Sequence, residues 1–386
     1  MKLHFTQHTP GLADGIYQVT ANGIAASLHW ADENGMLKNW QPLAFLPIPP
    51  EGTGACCMTG GRAIPEGATH ILARAVSADF SHVEEISVPI PAPAAPAEPP
   101  RMRFLLLTDL HLSRKAGVVR RALAHGKDYD AVLITGDLTN DGTSEQFALF
   151  WEILNETLPD TPVFAVAGNH DYPTFPLPHI FHGVCEYPVL QEKLLDRAAA
   201  MGWEITRDQS GAYAARKENA EILGLNATWH WRRFKFPEGA QLAWLDRQLS
   251  ETFSGQRILL CHAPLRLHRP YKPEDDVPYL SMDKRLQEIL DDHSGLLFLS
   301  GHTHLSLNLM EGCTGQDTHG NLYCNAGSIR PTTLKPEAPL QPKCWTEGSG
   351  IRLSLTDREI FIRGFSLRSG DFFPRANYRF SVNDPF

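Results

Sequence analysis

Five short runs between residues 103 and 300 are almost continuously apolar: RFLLLT (103–108), AVLIT (131–135), VFAVA (163–167), RILLC (257–261) and LLFLS (296–300). A strand with one wet face alternates apolar and polar residues, whereas a strand covered on both faces does not. These five therefore need layers on either side of them. The segments VVRRALAHG, TSEQFALFWEILNETL, AQLAWLDRQLSETF and MDKRLQEILDD can supply those layers, because their apolar residues recur at helical spacing. In the second, Phe147, Phe150, Trp151, Leu154 and Leu158 share one side, and Thr143 with Gln146 forms a capping box. The economical solution is a layered α/β domain with helices outside a central sheet system.

A chain of 386 residues exceeds one typical domain. The Pro/Ala run PIPAPAAPAEPP (89–100) favours stiff polyproline geometry and marks a boundary. Ahead of it, GIYQVTA, IAASLHW, HILARAV and VEEISVPI alternate in the manner of half-exposed strands, so residues 1–88 read as a small N-terminal β-sandwich domain. Residues 101–386 form the second, larger domain. Its tail from Gly350 (IRLSLTDREIFIRGFSL, then NYRFSV) returns to a β pattern. The stretches 172–190 and 264–281, rich in Pro, His and Tyr, are expected to be loops that wall a pocket.

With 42% hydrophobic and 20% charged residues the chain is of ordinary globular composition. Its net charge of −9 gives no long-range attraction for nucleic acid or anionic lipid, so a small-molecule partner fits better. The first residues lack the pattern of a secretory signal and no long apolar stretch occurs, which leads to the expectation of a soluble, cytoplasmic protein. Seven cysteines without a CxxC pair read as reduced thiols, with Cys261 and Cys324 as small buried hydrophobes. The sequence is compatible with a homo-oligomer.

Every one of the five apolar runs ends in residues that bind metals: Asp109 and His111, Asp137 and Asn140, Asn169 and His170, His262, and His302 and His304. Sites in α/β sheets lie beyond the carboxyl ends of strands, so all five groups can meet in one place. Asp109 and His111 are two apart, as are His302 and His304, and on extended chain each pair would point to one side. A bridging carboxylate such as Asp137 can join cations about 3.5–4 Å apart. Oxygen and nitrogen donors without thiolate suit Mn²⁺, Fe²⁺/Fe³⁺ or Zn²⁺. Two divalent metal ions against two carboxylates leave net positive charge, which attracts a phosphate anion and activates water for hydrolysis.

In order along the chain the motifs are DLH (109–111), GDLTN (136–140), GNHD (168–171), His262 at the end of a strand, and GHTH (301–304). From about Arg101 to Arg330, including AGSIRP (326–331), the sequence resembles the calcineurin-like metallophosphoesterases. That resemblance implies an αββα sandwich whose bridging hydroxide attacks phosphorus. It also implies that Asp109, His111, Asp137 and His304 hold one metal, and Asp137, Asn169, His262 and His302 the other. His170 becomes the proton donor to the leaving group, with Asp171 orienting it. Asn140 would support the ligands from behind or act structurally.

Within the family, GNHD and the GAQLAWLDRQL helix look like the cyclic-nucleotide and glycerophosphodiester phosphodiesterase branch. The purple acid phosphatase pattern, DxG with GDxxY, is not matched, since His111 and Asn140 stand at those positions. A phosphodiesterase acting on a small phosphate ester is thus the first expectation. A phosphomonoesterase, a protein phosphatase or a nuclease shares the same fold, and the acidic balance weighs against the nuclease. A metal-free interaction scaffold should lack ligands, yet all seven positions are filled. His230 and His268 compete with His262 for its ligand position, and His179 and His182 read as loop residues. For the N-terminal domain, partner binding, oligomerisation and covering of the site all stay open.

Overall fold

All five apolar runs form strands: Met102–Leu107, Ala131–Ile134, Val163–Ala165, Gln256–Cys261 and Leu296–Ser300. They do not alternate because successive residues enter different cores. Phe104, Leu106 and Leu133 join one cluster with Ile258, Leu260, Leu297 and Leu299. Leu105, Leu107, Val132 and Ile134 face a second cluster holding Val119, Phe150 and Leu194. Leu259, Cys261, Leu296 and Phe298 turn to a third, against Trp244, Leu245, Leu286 and Ile289. The first cluster lies between two sheets and the other two lie between a sheet and helices, so the layers run helix, sheet, sheet, helix.

The computed structural model describes residues 2–7, 15–20, 25–38, 44–47, 53–57, 68–77, 79–89, 99–114, 116–172, 185–230, 233–236, 239–265, 268, 283–304, 307, 314–330 and 348–381. One six-stranded sheet has the order Val163–Ala165, Ala131–Ile134, Met102–Leu107, Ser349–Leu355, Glu359–Ser366, Phe372–Ser381. Its first three strands are parallel, and the C-terminal strands join antiparallel through Leu353 opposite Phe104. The expected β tail therefore completes the same sheet that carries the first motifs. The seven-stranded sheet runs Glu204–Arg207, Tyr213–Lys217, Ala220–Leu225, Gln256–Cys261, Leu296–Ser300, Leu322–Asn325, Thr314–Gln316, and its four middle strands from Ala220–Leu225 to Leu322–Asn325 are parallel.

Gly117–Ala124, Ser144–Thr157, Ala240–Ser250 and Asp283–Asp291 are the helices that the periodicity predicts. At the start of Ser144–Thr157 the Thr143 hydroxyl accepts from Gln146 N at 3.3 Å. The Gln146 side chain instead binds Asp141, whose charged carboxylate and backbone N–H outcompete the return bond, so only half of the capping box forms. A fifth helix, Tyr187–Ala200, begins inside the expected loop 172–190. Pro188 in its first turn is compatible with a helix start, and Tyr187, Leu190, Leu194, Leu195 and Ala198 make its buried stripe.

Towards the N-terminus the chain carries a three-stranded and a four-stranded antiparallel sheet. In the latter, Leu28, Trp30, Ile71 and Ala73 are buried. Most of the expected linker 89–100 lies outside the described residues, as do His179 and His182. Among the described residues, no helix is long and apolar enough to cross a membrane.

One buried charge sits at the N-terminal end of the seven-stranded sheet, away from the motifs. Glu221 is fully buried and accepts from Arg216 Nε at 2.6 Å, Arg257 Nε at 2.8 Å and Gln248 Nε2 at 3.0 Å. Removing it takes one carboxylate from two guanidiniums that keep other partners, Arg216 with Glu251 and Arg257 with the carbonyls of Leu249 and Glu251, and some access to water, with side chains 28% and 13% exposed. Glu221→Ala is expected to lower the unfolding free energy in urea titration by about 2 kcal/mol, less than for a sealed pair.

Candidate metal centre

The parallel strands of both sheets end at one level, and the five motifs leave from those ends. Where the first two strands stop, the chains continue side by side: Asp109 N donates to Gly136 O at 3.1 Å and His111 N to Asp137 O at 2.9 Å. The backbone here is not extended, contrary to the expectation for the i, i+2 pairs. Among the described residues, seven non-glycine positions have positive φ, and five of them are Asp109 (52°), His111 (43°), Asp137 (51°), His302 (68°) and His304 (54°). Left-handed turns bend each segment around a common point while Leu110 and Thr303 stay buried between the paired side chains. Each such residue costs on the order of 1–3 kcal/mol, which the surrounding structure must offset.

Two groups of donor atoms result, each with all members within 4.8 Å of one another: Asp109, His111, Asp137 and His304, and Asp137, His262 and His302. Asp137 belongs to both. Asn169 joins the second group through Oδ1, 3.2 Å from His262 Nε2. His111 Nε2 and His304 Nε2 are 2.9 Å apart, and His304 Nε2 is 3.0 Å from Asp109 Oδ1. His262 Nε2 and His111 Nε2 lie 3.4 Å and 3.6 Å from Asp137 Oδ2.

Each carboxylate has one oxygen fixed and one turned inward. Asp109 Oδ2 accepts from Thr108 Oγ1 at 2.8 Å and from His302 N at 3.1 Å, and Asp137 Oδ1 accepts from His170 N at 2.8 Å. Asp109 Oδ1 and Asp137 Oδ2 are buried without a well-formed hydrogen bond. Two such oxygens facing imidazole nitrogens fit divalent cations and are costly otherwise.

Electrostatics divide this donor set. Against the effect of burial, Asp137 raises His262 to about 9 and Asp109 lifts His304 above its ordinary value, so a cation must displace a proton from each, while the other groups are already in donor form. Burial opposes charge on Asp109 and Asp137, yet nearby histidines, led by His304 and His262 respectively, hold both carboxyls below the usual range. Burial takes His111 down to about 4, and burial with the neighbouring His262 takes His302 down to about 3, so both offer neutral lone pairs. His262 Nδ1 donates to Thr135 O at 2.7 Å, which aims Nε2 at the centre.

His170 and Asp171 take different positions. The His170 ring packs edge-on against His111 with centroids 4.5 Å apart, and its Nδ1 donates to Asn140 O at 2.8 Å. Asp171 was expected to orient that ring. Its carboxylate instead accepts from Leu138 N, Thr139 N, Thr139 Oγ1 and Gly168 N, at 2.9–3.1 Å. The carbonyl of Asn140 therefore does the orienting, and Asp171 ties the GDLTN loop to the GNHD loop.

Of the competing histidines, His230 closes the strand Thr228–His230 opposite Arg233, and its side chain lies outside the described residues. The His268 ring stacks on Tyr323 with centroids 3.6 Å apart. A further cluster, Asp291, Asp317 and His319, is at the surface, where Asp317 is occupied by His319 N, Asn321 N and Tyr323 Oη. Sequence reasoning passed over Thr108 and Asn325. Asn325 Oδ1 accepts from Thr303 Oγ1 at 2.7 Å while Nδ2 donates to Gly301 O at 2.7 Å, which holds the GHTH loop. The signal was a polar residue ending the apolar run LYCN.

Residues 102–306, more than half of the chain, match the family model described as calcineurin-like phosphoesterase. The chain belongs to that family. A probable glycerophosphodiester phosphodiesterase of Arcobacter nitrofigilis is 26% identical over 179 residues, 45% of this chain and 56% of the relative. A probable cyclic nucleotide phosphodiesterase of Moraxella catarrhalis is 27% identical over 208 residues, 51% of this chain and 69% of the relative. The chain thus spans little more than half the length of the first of these. A solved purple acid phosphatase of yellow lupin aligns with 98% of this chain and 74% of its own, at 12% identity and a TM-score of 0.49.

The motif glycines let these loops meet. A Cβ on Gly168 would lie 2.1 Å from Asp137 Oδ1 and 2.3 Å from Asp137 N, and one on Gly136 would lie 2.5 Å from His262 Nδ1. Gly168→Ala must push the carboxylate shared by both donor groups aside. It should lower stability by about 2 kcal/mol and leave purified protein with less bound metal than the unaltered chain, as read by urea titration and elemental mass spectrometry.

Proposed function

We propose that this chain hydrolyses a small phosphodiester, of the glycerophosphodiester or cyclic-nucleotide type, with two divalent metal ions of the Mn²⁺, Fe²⁺/Fe³⁺ or Zn²⁺ class. The observation that carries this reading is the pair of buried donor groups sharing Asp137. Asp109, His111, Asp137 and His304 would hold one ion, and Asp137, Asn169, His262 and His302 the other. When bound, such ions bring coordinated water towards neutral pKa and stabilise in-line displacement at phosphorus. The names of the relatives from Arcobacter and Moraxella support a diester. The net charge of −9 supports a small substrate over nucleic acid.

His170 is the proton donor in this reading. With Nδ1–H given to Asn140 O and the ring edge-on to His111, Nε2 is the atom that would pass its proton to a leaving-group oxygen. Asp171 keeps the GDLTN and GNHD backbones in register, so that Asp137 and His170 stay at their relative positions. The free thiols Cys185, Cys261 and Cys324 agree with a reducing, cytoplasmic setting. A two-domain division with its boundary in 89–100 belongs to the same reading.

Two variants separate the roles. His170→Ala should keep both ions and lose roughly 10²–10⁴-fold in kcat on diesters with alkoxide leaving groups, with a much smaller loss on nitrophenyl esters. Asp137→Ala should empty both positions. Elemental analysis with rates on bis(4-nitrophenyl) phosphate, 4-nitrophenyl phosphate and an alkyl diester reads both. A preference for the monoester, or metal loss in His170→Ala, contradicts the assignment.

A further inference from the structure

The strand Val163–Ala165 is an edge of the six-stranded sheet, yet its open side does not face water. Ala165 O accepts from Tyr187 Oη at 2.8 Å and from Tyr213 Oη at 3.0 Å, and Ala167 N donates to Asn226 Oδ1 at 2.8 Å. Side chains thus replace the missing neighbouring strand. Tyr213 lies in the strand Tyr213–Lys217 and Asn226 directly follows Ala220–Leu225, both of the seven-stranded sheet. Leu225 is in register with Cys261, so Asn226 and His262 leave neighbouring strands at the same level.

Asn226 is itself held from several sides. Its N–H donates to Gln241 Oε1 at 2.8 Å and its carbonyl accepts from Gln241 Nε2 at 2.8 Å. Its side-chain Nδ2 donates to Gln191 Oε1 and to Gly211 O, each at 2.7 Å. Three buried amides thereby join the helices Tyr187–Ala200 and Ala240–Ser250 to one loop. Along that loop, Val166 N donates to Ile134 O, Gly168 N to Asp171 and His170 N to Asp137, all within the first sheet and its own motifs. The bond from Ala167 N reaches across to the second sheet.

We propose that Asn226 is a positioning residue whose side chain, anchored in the second sheet, sets how far the loop bearing Asn169 and His170 stands from His262 and His302. It rests on the two-ion reading above. Asn169 is the donor of the second group that comes from the first sheet besides the shared Asp137, so a slack Ala167 would weaken that group while leaving Asp109, His111 and His304 in place. Loss of a residue that supports a ligand typically lowers metal affinity by roughly 10–100-fold.

The test is calorimetric titration of the metal-stripped full chain with Mn²⁺ alone. Unaltered chain should take up two ions. Asn226→Leu, close in size and without an acceptor, should bind one ion normally and the other roughly 10–100-fold more weakly. Gln191→Leu removes one partner of Asn226 Nδ2 but leaves the bonds to Gly211 O and from Ala167 N, and should remain near the unaltered values. Glu221→Ala should lose stability without losing either affinity, which separates positioning from general destabilisation. Two normal affinities in Asn226→Leu, or equal weakening in Glu221→Ala, overturn the proposal. Should Asn226→Leu not fold, Asn226→Ala takes its place, and two normal affinities there overturn the proposal. Fewer than two ions on the unaltered chain removes the two-ion reading itself and this inference with it.

Discussion

Two buried carboxylates, Asp109 and Asp137, each turn an oxygen without a well-formed hydrogen bond towards imidazole nitrogens. A buried charge needs a counter-charge, which His262 and His304 supply as protonated rings until cations take their place. The rest of the site follows from this arrangement. Thr108 Oγ1, His302 N and His170 N fix the outer oxygens, and the inner oxygens are thereby aimed at two neighbouring points. Left-handed backbone at five candidate ligands bends three segments around those points. A chain that tolerates both strain and buried charge at one place concentrates its conformational cost where cations can offset it.

The layers explain how segments so far apart in sequence arrive together. Each sheet contributes parallel strands whose C-terminal ends lie at one level, and the cluster around Phe104, Leu106, Leu260 and Leu299 fixes the distance between the sheets. Polar links then tune the gap at its open end. Asp171 joins two loops within the first sheet, Asn325 holds the GHTH loop within the second, and Asn226 reaches between the sheets. Rigid elements below and hydrogen-bonded loops above are what a preorganised site requires.

Much of this was legible in the residues. Continuous apolar runs identify strands buried on both faces, and a metal-binding residue after each run identifies the end where they converge. The helix Tyr187–Ala200 was hidden because Pro188 and Tyr187 made its first turn look like the loop before it. Ala220–Leu225 escaped because Glu221 interrupts the apolar run with a charge, which only tertiary partners Arg216 and Arg257 make tolerable. The sign of φ at Asp109 or His302 is not settled by residue type, since Asp and His adopt left-handed backbone more often than most side chains but far less readily than glycine. Asp171 was misjudged for a related reason: neighbouring a histidine in sequence says little about which backbone donors a carboxylate will meet.

In the proposed function two cations sit side by side with Asp137 between them. Crystals grown with Mn²⁺ and measured on both sides of the manganese absorption edge would locate the ions without reference to activity. Two anomalous peaks about 3.5–4 Å apart, flanking Asp137 with Asp109 on one side and His262 on the other, are the expected result. A single peak, or peaks only at the surface group Asp291, Asp317 and His319, would contradict the account.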